Sequence, residues 1–268
     1  MNHEIKKCVK CSGEFAIEPE DFVFYDKMHV PAPNLCPDCR FKRRALFRNE
    51  MTLYSRACDL CDRAVISMYN PKSPYTVYCV KCYESDKWDA KAYAQEYNPN
   101  VPFFDQFKEL MEKVPKKAVY ISSTSGLGPN INSEYTNVAG GNKDCYLVFN
   151  GGKNENIMYA RGMYNSRDSA DIYFGTDLER SYETINVNHS SGIVFGQNVS
   201  GSLNSWFVIS CSGIQNCFGC VNLRNKNYHF FNEPLSKNDY ERKLAEVRGS
   251  YHKFLEFKKK FEEVEDKL

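Results

Sequence analysis

No run of about 18 apolar residues occurs anywhere in the 268-residue chain, which excludes a conventional membrane-spanning helix. The opening stretch MNHEIKKCVKC has no apolar core of the kind an export signal needs, so the expected compartment is the reducing cytoplasm. A net charge field is also missing. Lys and Arg total 35 against 34 Asp and Glu, so any binding to nucleic acid must come from a local patch. There is no Ser-nucleophile motif, and neither His189 nor His229 has a carboxylate at a readable spacing. Enzyme chemistry is therefore not the first expectation. The 42% apolar content is enough for a core, in one large domain or several small ones.

What the chain has in abundance is cysteine, and it is unevenly placed. Eight of the 12 form four Cys-x-x-Cys pairs near the start: Cys8/Cys11, Cys36/Cys39, Cys58/Cys61 and Cys79/Cys82. Two intervening residues let both sulfurs of a pair reach one ion, and a second pair completes a tetrahedron with Zn–S of ~2.3 Å. Four thiolates leave no open position, so the expectation is two structural Zn²⁺ ions. The gaps between pairs favour two consecutive fingers, with an interleaved cross-brace as the alternative.

Between Cys11 and Cys36, Phe15 and Ile17, then Phe22 and Phe24, alternate as short strands would. Pro37 then suits the first turn of a helix through RFKRRALFRNE. Knuckle, hairpin and helix together predict a treble clef. CxxC, EDFVFY and VPAPNLCPDCR resemble the probable zinc-ribbon family of small treble-clef modules, over about residues 6–48. In the second finger, AVISMY and YTVY read as strands joined by NPKSP, and YESDKWDAKAYAQEY reads as a helix. Its Trp88 and Tyr93 are expected in packing, with stacking of Tyr83 or Trp88 on an unpaired base as the other use.

The segment CPDCRFKRR places four basic residues beside a metal knuckle. Arg40 and Lys42 are expected to offset the −2 charge of a four-thiolate zinc site. Arg43, Arg44, Arg48 and Arg56 are left over as candidate phosphate contacts, while Phe41 and Ala45 fall on a side able to pack inward.

Phe103, Phe107, Leu110, Met111 and Val114 mark an amphipathic connector helix, ended by Pro115 and followed by a Ser/Gly/Asn loop. Beyond it, CYLVFN, IMYARG, DIYFGT, SYETIN, GIVFGQ, SWFVIS, CFGCVN and YHFFNE recur at steps of about 11 to 14 residues. That regularity predicts a β-solenoid, a short β-helix, with two runs per coil and so about four coils; an antiparallel sandwich or barrel is the alternative. Asn150, Asn188, Asn198, Asn216 and Asn222 suit its turns. Cys211, Cys217 and Cys220 are expected as buried small residues rather than a third metal site, because residues three apart on a strand point oppositely. Asp168, Asp171, Asp177 and Glu179 are candidate liners of a sugar groove. The charged tail is expected to form a helical cap against the last coil, with Ser236 as N-cap and Tyr240, Leu244 and Val247 on its inner stripe.

The predicted organisation is small zinc-bound α+β modules followed by an all-β domain: a first finger over 1–52, a second over 53–100, a connector over 101–134, the solenoid over 135–235 and the cap over 236–268. Motifs along almost the whole chain, among them LYSRACDLC, SDKWD, NSEYTN and NCFGCVNLRNK, resemble an uncharacterised zinc-ribbon family of candidate-phyla bacteria. The resemblance implies that fingers and solenoid act together and carries no catalytic residue. The functional expectation is a non-enzymatic module binding RNA or DNA, RNA favoured, or a ribonucleoprotein. A protein scaffold and a carbohydrate-binding or carbohydrate-cleaving β-helix are the alternatives.

Overall fold

The computed structural model describes residues 3–46, 49–121 and 127–265. The chain divides into two compact units, Met1–Asn49 and Glu50–Leu268.

In the first unit β1 (Glu4–Lys7) and β2 (Glu14–Ile17) pair antiparallel around the first knuckle, burying Phe15 and Ile17. The strand expected at Phe22 and Phe24 is instead helix α1 (Pro19–Lys27). Its start is written in EPED: Pro19 takes the first turn and the Glu18 N–H donates to Asp21 at 3.1 Å, a capping box that outweighs the alternation. Helix α2 (Pro37–Ala45) begins at the second knuckle, as expected. Phe41 and Ala45 do not pack inward: both are exposed, Phe41 by 65%.

The second unit repeats the first hairpin, with β3 (Tyr54–Ala57) antiparallel to β4 (Ala64–Ser67) around the third knuckle. AVISMY therefore pairs backwards with Tyr54–Ala57 and not forwards with YTVY. β5 (Val77–Tyr78) pairs in parallel with β6 (Lys116–Lys117), which follows the connector. The helix expected after Cys82 stops early, as α3 (Val80–Tyr83) and a 3₁₀ turn at Ala90–Tyr93. Ser85 and Asp89 accept bonds from the N–H groups of Lys87 and Lys91, local competition that breaks the helix. The connector helix α4 (Phe103–Lys113) forms, yet none of its residues is buried.

The solenoid strands are β7 (Thr136–Gly140), β8 (Tyr146–Gly152), β9 (Glu155–Tyr164), β10 (Arg167–Glu179), β11 (Tyr182–Ser191), β12 (Val194–Ser200), β13 (Trp206–Ile209), β14 (Gln215–Phe218) and β15 (Asn227–Phe230). Each pairs in parallel with the next, and the register advances by 12 residues, as in Tyr146↔Met158, Met158↔Ala170 and Ala170↔Tyr182. A coil is thus one aromatic run, not two. The solenoid has about 8 turns, and its length is ~38 Å at ~4.8 Å per coil.

The short coil has a simple cause. From Asp144 onward every third residue is left-handed: Leu147, Asn150, Lys153 and Asn156 follow with φ of 51 to 57°. Four such corners in 12 residues close the chain on itself. The residue after each corner points inward, so Cys145, Val148, Gly151 and Asn154 fill one coil, and Ile157, Ala160, Met163 and Ser166 the next. Residues three apart therefore face the same way, which reverses the strand rule applied to Cys217 and Cys220; both are fully buried. Asn150, Asn198, Asn216 and Asn222 do occupy left-handed corners, where Asn is least strained, whereas Asn188 does not.

Buried polar ladders hold the interior. Asn154 Nδ2 donates to Asn142 Oδ1 at 3.0 Å, and Asn142 Nδ2 to Asn130 Oδ1 at 3.2 Å. Further along, Ser166, Ser169, Ser181, Ser190, Ser202 and Ser205 each accept the N–H of the residue 12 positions ahead. At the first coil, Asn137 Oδ1 accepts the Tyr120 N–H at 2.8 Å while its amide donates to the Glu50 carbonyl at 2.9 Å. At the last, the Asn232 amide bonds both the N–H and the C=O of Val221, at 2.9 and 3.0 Å. It stands in for a coil that does not follow.

Helices α5 (Lys237–Arg248) and α6 (Tyr251–Glu265) follow the short edge strand β16 (Glu233–Pro234). The Ser236 hydroxyl accepts the Asp239 N–H at 3.1 Å, and Tyr240 and Val247 are buried, as the pattern required. These helices do not rest on the last coil alone. Tyr240, Val247 and Phe261 cluster with Phe195, Phe207 and Phe218, which belong to successive coils, so the helices lie along the flank.

β16 pairs with the final coil at His229 and Phe230, but the coil is exposed around Lys226, which occupies the register that Leu178, Ser190, Ser202 and Ile214 fill in earlier coils. A charge at an inward register blocks end-to-end pairing. Lys226→Ile is expected to drive concentration-dependent association, read by light scattering; a variant that stays monodisperse like the wild type contradicts this role.

Candidate metal centres

Both cysteine groups are built on one plan. The first knuckle of each lies between two hairpin strands and is closed by paired backbone bonds: Cys8 N–H to Gly13 O and Ser12 N–H to Cys8 O in one, Cys58 N–H to Arg63 O and Asp62 N–H to Cys58 O in the other, all 2.9 Å. Ser12 and Asp62 are left-handed, with φ of 61 and 58°, which turns the second sulfur back toward the first. The second knuckle opens a helix in each case. Cys36 caps α2 and Cys79 caps α3, with extended ψ of 161 and 159°, and Cys39 and Cys82 follow within the first turn.

The sulfurs converge as Cys8, Cys11, Cys36 and Cys39, and as Cys58, Cys61, Cys79 and Cys82, each set lying within 4.8 Å of one another. The fingers therefore pair consecutively. A tetrahedron with ~2.3 Å Zn–S bonds has sulfur–sulfur edges of ~3.8 Å. Cys11 and Cys36 are 3.7 Å apart, so the donor set fits zinc without rearrangement. All 12 cysteines are free. These are two structural zinc sites, closed by four thiolates each.

The protein prepares the sulfurs unequally. Backbone N–H groups, that of Cys36 foremost, hold the Cys8 thiol down to about 6, and the Arg63 backbone does the same for Cys61, also to about 6. Burial pushes Cys39 and Cys82 up to about 12. The Cys79 N–H also points at Cys58 Sγ, 3.1 Å away. Four thiolates this close repel one another, and a divalent cation relieves that repulsion. The Arg63 guanidinium has its pKa raised by the neighbouring Cys61 sulfur, so it helps offset the second site's charge. Sequence reading missed Arg63; the signal was its place directly after the left-handed Asp62 in CDLCDR.

The predicted basic residues separate into distinct environments. Arg40 is half-buried, and its Nε has no hydrogen-bond partner. Lys42, Arg43 and Arg44 are exposed on α2, whereas Arg48 lies outside the described residues. Arg56 is not on a contact face. Its side chain is 8% exposed, with one nitrogen 2.9 Å from Asp59 Oδ2 and 3.5 Å from the Tyr75 carbonyl. Trp88 packs against Tyr78, Tyr83 and Tyr93, and its indole N–H donates to the Tyr83 carbonyl at 2.8 Å.

In the solenoid Cys211, Cys217 and Cys220 take the role of the interior serines, each thiol donating to the carbonyl two residues back at 3.3 Å. The four acids do not converge: Asp168 accepts from Asn156 at 2.7 Å, Glu179 pairs with Arg180 at 3.6 Å, and Asp177 lies 2.8 Å from His189 Nδ1. His189 is thus not isolated. Its carboxylate is 12 residues away, one coil back, a neighbour invisible until the coil length is known.

No protein-family model matches the chain, and no curated protein matches it. Among the described residues, no helix is long and apolar enough to cross a membrane.

Proposed function

We propose that this protein is a non-enzymatic, zinc-stabilised module of the cytoplasm that binds RNA, or a ribonucleoprotein, through α2. Each four-cysteine group is read as a treble-clef finger of zinc-ribbon kind, the solenoid as a rigid second contact surface, and α5 with α6 as its cap. The observation that carries the reading is the surface of α2. Lys42, Arg43 and Arg44 are exposed there without a carboxylate partner among the described residues, beside a Phe41 ring that is 65% open to solvent. Basic side chains meet phosphates and an open ring stacks on an unpaired base, a combination suited to single strands. DNA single strands share most of that chemistry, so preference between the two rests on the 2′-hydroxyl.

Changing Arg43 and Arg44 to Gln preserves helix propensity and leaves the cysteines untouched. Fluorescence anisotropy with single-stranded RNA should then show weaker binding, with the slope of log affinity against log salt reduced by ~0.7 per lost contact. Absence of wild-type binding at low salt, or an unchanged slope in the double variant, rules the reading out. A protein scaffold is the second reading, favoured by α4, where Phe103, Phe104, Phe107 and Met111 are 55, 78, 47 and 42% exposed.

A further inference from the structure

We propose that the solenoid carries a separate binding groove for a neutral oligosaccharide. One side of the coils is uncovered over a groove of about 430 Å³ whose floor includes Phe149, Tyr159, Arg161, Asp171, Tyr173 and Glu183. Met51 and Phe261 complete its walls. The volume lies in the range of ordinary small-ligand sites, ~300–1,000 Å³.

The 12-residue coil stacks these groups in rows. Tyr159, Asp171 and Glu183 are consecutive occupants of one left-handed corner, with φ of 54, 57 and 51°, and Arg161 and Tyr173 stand one above the other two residues further on. Rows at ~4.8 Å repeat on the scale of a single pyranose ring.

The chemistry left unused in the groove selects the ligand. Glu183 is occupied by Lys258 at 3.5 Å, and the terminal nitrogens of Arg161 by Glu50 at 3.5 Å and the Tyr173 hydroxyl at 3.4 Å. Apart from the Thr184 hydroxyl, which is buried without a partner at an inward register, two polar groups remain among the described residues. Asp171 has no hydrogen bond or ion pair among the described residues, which makes it a free acceptor. Arg161 Nε is buried without a partner and is a free donor. Tyr159 and Tyr173 add rings 51 and 47% exposed. A ligand that donates, accepts and presents apolar C–H faces together satisfies all three, and a sugar does so. A cation leaves the Arg161 donor unanswered. An anion is opposed by the Asp171 carboxylate in the groove, which no cation neutralises among the described residues.

The test uses the full-length, zinc-loaded protein in isothermal titration calorimetry. The probes are gluco-, xylo-, manno- and N-acetylchito-hexaoses, a galacturonan hexamer, and spermine with a polylysine peptide. At least one neutral hexaose should bind with a Kd below about 1 mM. Tyr159→Asn and Asp171→Asn both suit the left-handed corner, so each should keep the wild-type melting temperature and zinc content. Each should lower affinity at least about fivefold. Arg43→Gln with Arg44→Gln should leave sugar binding unchanged, which separates this groove from α2. The proposal is overturned if no neutral hexaose binds, if both groove variants bind as wild type, or if the galacturonan or spermine and polylysine bind more tightly than every neutral sugar.

Discussion

Cys39→Ser should release one of the two zinc ions and unfold the first finger while the solenoid's β signal persists. Cys39 is 5% exposed and sits in the first turn of α2, facing three other sulfurs. Serine keeps the shape but supplies no thiolate, and a closed site with three sulfurs no longer holds its ion firmly. In domains this small, metal binding is the folding energy, ~10–16 kcal/mol for a structural zinc. The residual core of Phe15, Ile17 and their partly buried neighbours is too small to replace it. Because 1–49 and 50–268 are separate compact units, loss is expected to stay in the first. Metal analysis should read close to one zinc per chain, and far-UV circular dichroism should keep its β component. Retention of two zinc ions, or collapse of the whole chain, contradicts the assignment.

Asn154→Leu should be the most damaging substitution of similar volume in the solenoid. Asn154 is 2% exposed, and its amide donates to the Met163 carbonyl at 2.8 Å and to Asn142 Oδ1 at 3.0 Å, while its Oδ1 accepts the Ser166 N–H at 3.1 Å. Leucine removes the bonds to the Met163 carbonyl and the Ser166 N–H, at ~1–3 kcal/mol each, while Asn142 Oδ1 keeps the backbone N–H of residue 154 at 3.2 Å. The expected loss is roughly 2–6 kcal/mol, measured by urea unfolding followed by circular dichroism. A loss under about 1 kcal/mol would mean the ladder is incidental to the stacking of coils.

The cysteines were legible because their chemistry depends on spacing alone, and the Ser236 start and buried stripe of α5 were legible because capping and helical period are local. The solenoid itself could be read from the recurrence of aromatic runs. Its coil length could not, because it depends on backbone conformation. Reading an aromatic run as half a coil assumes extended residues throughout, whereas Leu147, Tyr159 and Phe195 adopt left-handed corners that their side chains disfavour alone. Stacking offsets that strain, as for Phe195 and Phe207, 4.7 Å apart and nearly parallel at 4°. Everything that follows from the 12-residue period was hidden with it: the His189–Asp177 pair, the shared interior of Cys217 and Cys220, and the rows in the groove. Helix α1 is obscured for a different reason: the alternation at Phe22 and Phe24 competes in the sequence with the helix start in EPED. Arg56 could not be judged from sequence, because its partner Asp59 becomes a neighbour only when the knuckle closes.

The most direct test of the account is zinc K-edge X-ray absorption on purified full-length protein, together with its metal content by mass. Two closed four-cysteine sites predict two zinc ions per chain and a single shell of four sulfurs at ~2.3 Å. One or three ions, or a shell containing nitrogen or oxygen, would contradict it.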